Sequence, residues 1–114
     1  MDTKDHLYVL WTSSEKATFD EMVYMYTLNG MKRQWWSEIT LIIWGASAEL
    51  VGTNPEVQQK LKELAAAGVH LTACKACADN LSVSGIFEKD HIELKYWGTP
   101  LTELLRSDAK MITI

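Results

Sequence analysis

EITLIIWG, Glu38 to Gly45, is an almost unbroken apolar run. A strand with one wet face alternates apolar and polar residues. A strand covered on both faces does not, and such strands belong mostly to parallel sheets flanked by helices. Gly45 closes the run. This stretch therefore reads as a strand buried on both sides, and the segments around it decide whether helices are there to bury it.

Upstream, His6–Trp11 (HLYVLW) reads as a strand. TSSEKAT follows, with Thr12 and Glu15 spaced as a capping box. A helix is expected from about Lys16 to Gln34, with Phe19, Met22, Val23 and Tyr26 at i, i+3, i+4, i+7 on one face. Met25, Leu28 and Met31 add a second apolar side, more than a single sheet covers, which points to a subunit interface. Trp35 and Trp36, two of five tryptophans, point the same way, since each carries a large apolar area.

Downstream, Ser47 is placed to cap a short helical turn through Leu50 and Val51. Asn54-Pro55 is a cap followed by proline at the first helical position. That helix should reach Ala67 with Val57, Leu61, Leu64 and Ala65 inward and Gly68 as its stop. Val69–Ala73 reads as a strand, with Cys74 at its exit. A helix of about Lys75–Leu81 follows, with a further turn at Ser84–Lys89. Ile92–Trp97 reads as a strand, Thr99-Pro100 as a second cap-plus-proline start, with Leu101, Leu104 and Leu105 on that helix's buried edge. Lys110–Ile114 closes the chain as a strand. The alternation predicts a single α/β domain over residues 1–114, with a five-stranded parallel sheet, right-handed crossovers and helices on both faces. The pattern does not supply the strand order.

The net charge of −4 provides no basic footprint for nucleic acid. The apolar runs are strand-sized, well short of the ~20 residues that span a membrane. MDTKDHLYVL has acids and no long apolar core, so it is not read as a signal peptide. Two cysteines in such a chain suggest the cytoplasm, where thiols stay reduced and a structural disulfide is not expected.

Those two cysteines lie in GVHLTACKACADNLSV, Gly68–Val83. In open α/β sheets ligands bind beyond the carboxyl ends of the strands. Three loops are expected there: Thr12-Ser13-Ser14, Gly45-Ala46-Ser47 and the segment at Cys74. A thiol at a strand-to-helix exit faces helix amides that favour thiolate, and Lys75 adds positive charge. Cys74 is thus the expected nucleophile, and Cys77, one turn on, the more shielded thiol. Free cysteines are also often plain buried hydrophobes. A structural zinc site needs four ligands, and His6, His70 and His91 are scattered without ligand spacing, so no metal is expected and packing roles are assigned to all three. A thioredoxin-like dithiol fits poorly, because Pro55 and Pro100 both read as helix starts and neither as a cis-proline before a strand. The Thr12 loop lacks the glycines of a phosphate loop, so no nucleotide or other cofactor is expected.

LIIWGASAEL, NPEVQQKLKELAAAGVHLTACKACADNLSV and WGTPLTELLRSDAKMITI together resemble the DsrE/DsrF-like family of sulfur metabolism, related to TusD-type sulfur-relay subunits. The resemblance spans nearly the whole chain, and ACKACAD is its most specific part. It implies a three-layer α/β/α sandwich on a five-stranded parallel sheet, and oligomers, commonly trimers or hexamers. It also implies persulfide sulfur carried on the cysteine after the third strand, here Cys74, for passage between donor and acceptor proteins. On that reading Cys77 is a resolving thiol, and Lys75, Ser47 and Thr12 line the site. The alternative is a non-catalytic oligomeric binding or redox-sensing module of the same fold.

Overall fold

Five parallel strands stand among the residues that the computed structural model describes, 5–80 and 84–114. They are β1 (His6–Trp11), β2 (Glu38–Ile43), β3 (His70–Cys74), β4 (Glu93–Lys95) and β5 (Lys110–Thr113), in the order β4-β3-β2-β1-β5. β2 is the middle strand, and every residue from Ile39 to Ile43 is buried, which is why its sequence is an apolar run. β1 beside it alternates buried and half-buried residues. The register pairs Tyr8 with Thr40, Thr40 with His70, and Cys74 with Lys95.

The order explains the layers. From β1 to β4 the chain steps across the sheet in one direction, and right-handed crossovers put all three connections on one face. The fourth connection returns past the start, to β5 beside β1, and its helix falls on the other face. The first face is accordingly the main core. Leu7, Val9, Trp11, Ile39, Leu41, Ile43, Leu71 and Ala73 meet residues of α3 (Ala46–Thr53), α4 (Pro55–Ala66), α5 (Lys75–Asn80), α6 (Ser84–Lys89) and the first helical rod. On the second face Ile42, Cys74 and Trp97 are buried beneath Leu101 and Leu104 of α7 (Gly98–Leu105), while Tyr8, Leu10 and Met111 are only partly covered.

The first rod departs from an ordinary helix. α1 (Lys16–Thr18) passes into a π-helical segment, Phe19–Tyr24, and then α2 (Met25–Lys32). The wider π turn changes the phase of the apolar stripe. The inward residues become Phe19, Val23, Thr27 and Gly30, and Met22, expected in the core at i+3, is 40% exposed. Thr27 satisfies its buried hydroxyl by donating to the Val23 carbonyl at 2.7 Å. The expected Thr12 capping box is not formed: the Glu15 amide is held instead by Ser13 Oγ at 3.1 Å.

Elsewhere the punctuation holds. Asn54 Oδ1 accepts from the Val57 amide at 3.1 Å, and Pro55 opens α4. Gly68 takes φ 105° beyond its end. Val57, Leu61 and Leu64 are buried, whereas Ala65 faces solvent. β4 is shorter than Ile92–Trp97, because the chain at Trp97 already has helical dihedrals, and α7 begins at Gly98, ahead of Thr99. Leu105, expected at the buried edge, is 65% exposed. Met1–Lys4 and the expected extension of α5 to Leu81 lie outside the described residues.

Candidate functional site

α5 starts at the residue after β3, with no intervening loop. This abrupt change of period fixes both cysteines. Cys74, the last strand residue, shares strand parity with His70 and Thr72 and so points to the second face. It is 5% exposed and packed with Ile42 and Trp97. Cys77, one helical turn on, clears the sheet and is half-buried. Together with Gly45, Ala46, Glu49 and Asn80 it lines an open cavity of about 250 Å³. The order of shielding is thus the reverse of the expected one: Cys74 is the covered thiol and Cys77 the accessible one.

The two thiols are free, and Cys77 packs against the cluster that holds Cys74. Burial pushes the Cys77 thiol up from its ordinary value, and the hydrogen bond to Cys74 pushes it further. The Gly45 backbone opposes both. Gly45 has φ 72° and ψ −131°, a conformation open to glycine and strained for other residues, and this turns the loop after β2 towards Cys77.

The other expected site residues lie differently. Ser47 is fully buried; its hydroxyl donates to the Trp11 carbonyl at 2.6 Å and accepts from the Trp44 amide at 3.0 Å, knitting the ends of β1 and β2 together. The helix it was expected to cap begins at Ala46 and continues to Thr53, past Val51. Thr12 is exposed and ties the chain beyond β1 to β5, its Oγ1 donating to the Ile114 carbonyl at 3.0 Å. Lys75 pairs with Asp79 at 3.0 Å and sits over the Tyr96 ring at 5.9 Å. Glu49 and Asn80, which share the cavity wall with Cys77, carried no sequence signal of their own; Gly45 did, as the glycine ending the β2 run. Trp97 was missed because a tryptophan at a strand end is indistinguishable from a packing residue until its neighbours are known. Its indole Nε1–H is buried with no hydrogen-bond partner among the described residues.

The histidines are engaged elsewhere or exposed. His6 Nε2 meets Thr40 Oγ1 at 2.8 Å and stacks on Tyr8 with ring centroids 4.0 Å apart. His70 Nε2 meets Glu93 Oε2 at 2.6 Å. Neither His70 nor His91 is the packing residue expected: both are exposed, His91 at φ 59°. Among the described residues no group of three or more His, Cys, Asp or Glu is placed to hold a metal ion, and no helix is long and apolar enough to cross a membrane.

Fold and site together define a small parallel α/β protein with two free cysteines at the carboxyl end of its third strand. The chain belongs to the same family as BT1422 of Bacteroides thetaiotaomicron, described as a conserved protein of unknown function. The two share 39% identity over 96% of this chain and 95% of that one, with a TM-score of 0.94. MTH1491 of Methanobacterium thermoautotrophicum, also of unknown function, matches at 12% identity over 96% and 98% of the two chains, with a TM-score of 0.76. The ychN protein of E. coli matches at 16% identity over 97% and 99%, with a TM-score of 0.68. At those identities the last two show a shared fold. No protein-family model matches the chain, and no curated protein does.

Proposed function

We propose that this is a sulfur carrier of the DsrE/DsrF-like, TusD-related type, holding persulfide sulfur on Cys74 and passing it to a partner protein's cysteine. The observation that carries the reading is the placing of two free thiols together at the β3–α5 junction, beside an open cavity beyond the strand ends. The resemblance in ACKACAD and the fold held in common with MTH1491 and the ychN protein support it. In delivery the acceptor thiolate attacks the outer sulfur of the Cys74 persulfide. The S–S bond breaks, its electron pair leaves with the Cys74 sulfur as thiolate, and a new persulfide forms on the acceptor. No external oxidant or reductant is consumed. Such thiols work in the reducing cytoplasm.

The test is cyanide-labile sulfur on the protein after anaerobic exposure to glutathione persulfide. One labile sulfur per chain, mapped by mass spectrometry to Cys74 and absent from the Cys74→Ala/Cys77→Ala double variant, is expected. Wild type with no labile sulfur refutes the reading.

The runner-up is a non-catalytic oligomeric binding or redox-sensing module. The feature that favours an oligomer under either reading is the thin second face, together with exposed Met22, Met25, Trp35, Tyr96 and Leu105. A homo-oligomer, a trimer or hexamer, is the assembly we propose. Light scattering reads its mass directly, and a monomer at micromolar concentration rejects it.

A further inference from the structure

We infer that Cys77 is the thiol that meets the sulfur donor, and that Cys74 is the store to which the sulfur then moves. This assignment rests on the sulfur-carrier reading and divides its chemistry between two named atoms.

Three observations lead to it. Cys74 is 5% exposed under Trp97 and Ile42, so of the two thiols Cys77 is the more open to a donor persulfide. Cys77 lies in the wall of the open cavity and packs against the cluster that holds Cys74. The cluster around Cys74 also holds the buried indole Nε1–H of Trp97, which has no hydrogen-bond partner among the described residues. An unpaired buried N–H is costly, so an outer sulfur on Cys74 that came within its reach would be held there.

The steps balance. Cys77 thiolate attacks the outer sulfur of a donor R–S–SH; the donor's S–S bond breaks, RS⁻ leaves with the electron pair and takes up a proton, and Cys77–S–SH forms. Cys74 thiolate then attacks the same outer sulfur. The Cys77 S–S bond breaks, Cys77 departs as thiolate, and Cys74–S–SH remains. The sulfur is neither oxidised nor reduced overall. Cys77 is disfavoured as a thiolate at neutral pH, but a thiolate of high basicity is intrinsically the stronger nucleophile, and uptake accelerates as pH rises.

The experiment is an anaerobic time course with glutathione persulfide, quenched with iodoacetamide and mapped by mass spectrometry, on wild type, Cys77→Ala and Cys74→Ala. Alanine replaces the buried Cys74 because a serine hydroxyl there would lack a partner. In native wild type, which needs no variant, iodoacetamide should modify Cys77 at least about tenfold faster than Cys74, and labelled sulfur should appear on Cys77 before Cys74. Cys77→Ala should load Cys74 at least about tenfold more slowly. Cys74→Ala should load Cys77 at the wild-type initial rate but lose that sulfur to cyanide sooner. Wild-type loading of Cys74 in Cys77→Ala, or sulfur reaching Cys74 first in wild type, overturns the relay and leaves the carrier reading standing. No sulfur on any form overturns both.

Discussion

Replacing Gly45 by alanine is a sharp test of how the cavity is built. A Cβ at this position meets no heavy atom within 4 Å, so crowding contributes nothing. What remains is the backbone. At φ 72° and ψ −131° the residue lies outside the left-handed helical well that asparagine and aspartate tolerate, in territory that is essentially glycine's. Holding an L-residue there costs on the order of 1–3 kcal/mol. For a chain of this length that is a fall in Tm of roughly 4–12 °C. Urea denaturation should show a lower midpoint with an unchanged slope, since the surface exposed on unfolding is the same. Gly45→Asn should fare no better than Gly45→Ala. D-alanine, introduced by ligating synthetic segments, provides the control. For it these dihedrals are the mirror image of ordinary extended backbone, and loss of unfolded-state freedom should stabilise the protein by about 0.4–1 kcal/mol. Gly45→Ala as stable as wild type, or D-alanine as harmful as L-alanine, refutes the reasoning.

Three further outcomes follow from the same geometry. Ser47→Ala removes the hydroxyl that bridges Trp11 and Trp44; because the Trp44 amide keeps its 3.1 Å bond to the Trp11 carbonyl, the cost should be about 1 kcal/mol in urea titrations, with sulfur uptake per folded molecule unchanged. Lost uptake at full stability would instead make Ser47 a site residue. Cys77 is pushed above the ordinary thiol value of 9.0 by burial, so its contribution to stability is whole below that value and is lost as pH rises through the folded value. Cys77→Ala should therefore lose less stability than wild type as pH rises above 9.0, and parallel profiles would contradict this. Burial lowers His6 below 6.5 against the opposing pull of Glu38, with His70 adding to the lowering. Its contribution is present above 6.5 and lost as pH falls through the folded value, so NMR should titrate the ring below 6.5 and His6→Gln should flatten the acid limb. A ring titrating above 6.5 would be the contrary result.

Much of the fold was legible because its signals are local. The β2 run, Asn54-Pro55 and Gly68 each carry their meaning within a few residues, and each element appears where they place it. The π-helical segment was not legible, since its effect is a phase change and the residues Phe19–Tyr24 have no composition that announces one. The start of α7 was misplaced for a related reason. Thr99-Pro100 has the right residues for a cap, but tertiary packing of Trp97 under α7 begins the helix earlier, and proline is tolerated within the first turn.

The misjudged cysteine shows where local reading stops. Parity alone puts His70, Thr72 and Cys74 on one face of β3. Whether a side chain on that face is open or covered depends on what lies over it, and that depends on strand order. With β5 beside β1, the single return connection carries α7 across the second face, and Trp97, the residue at the turn into α7, closes over Cys74. Had β5 added beside β4, the same sequence of elements would have put α7 with the other helices and left Cys74 bare. The burial of Cys74 and the greater openness of Cys77 are thus consequences of topology. They also bear on assembly: one eight-residue helix covers a face on which Tyr8, Leu10 and Met111 remain partly open, so a subunit that completes this face would further cover Cys74.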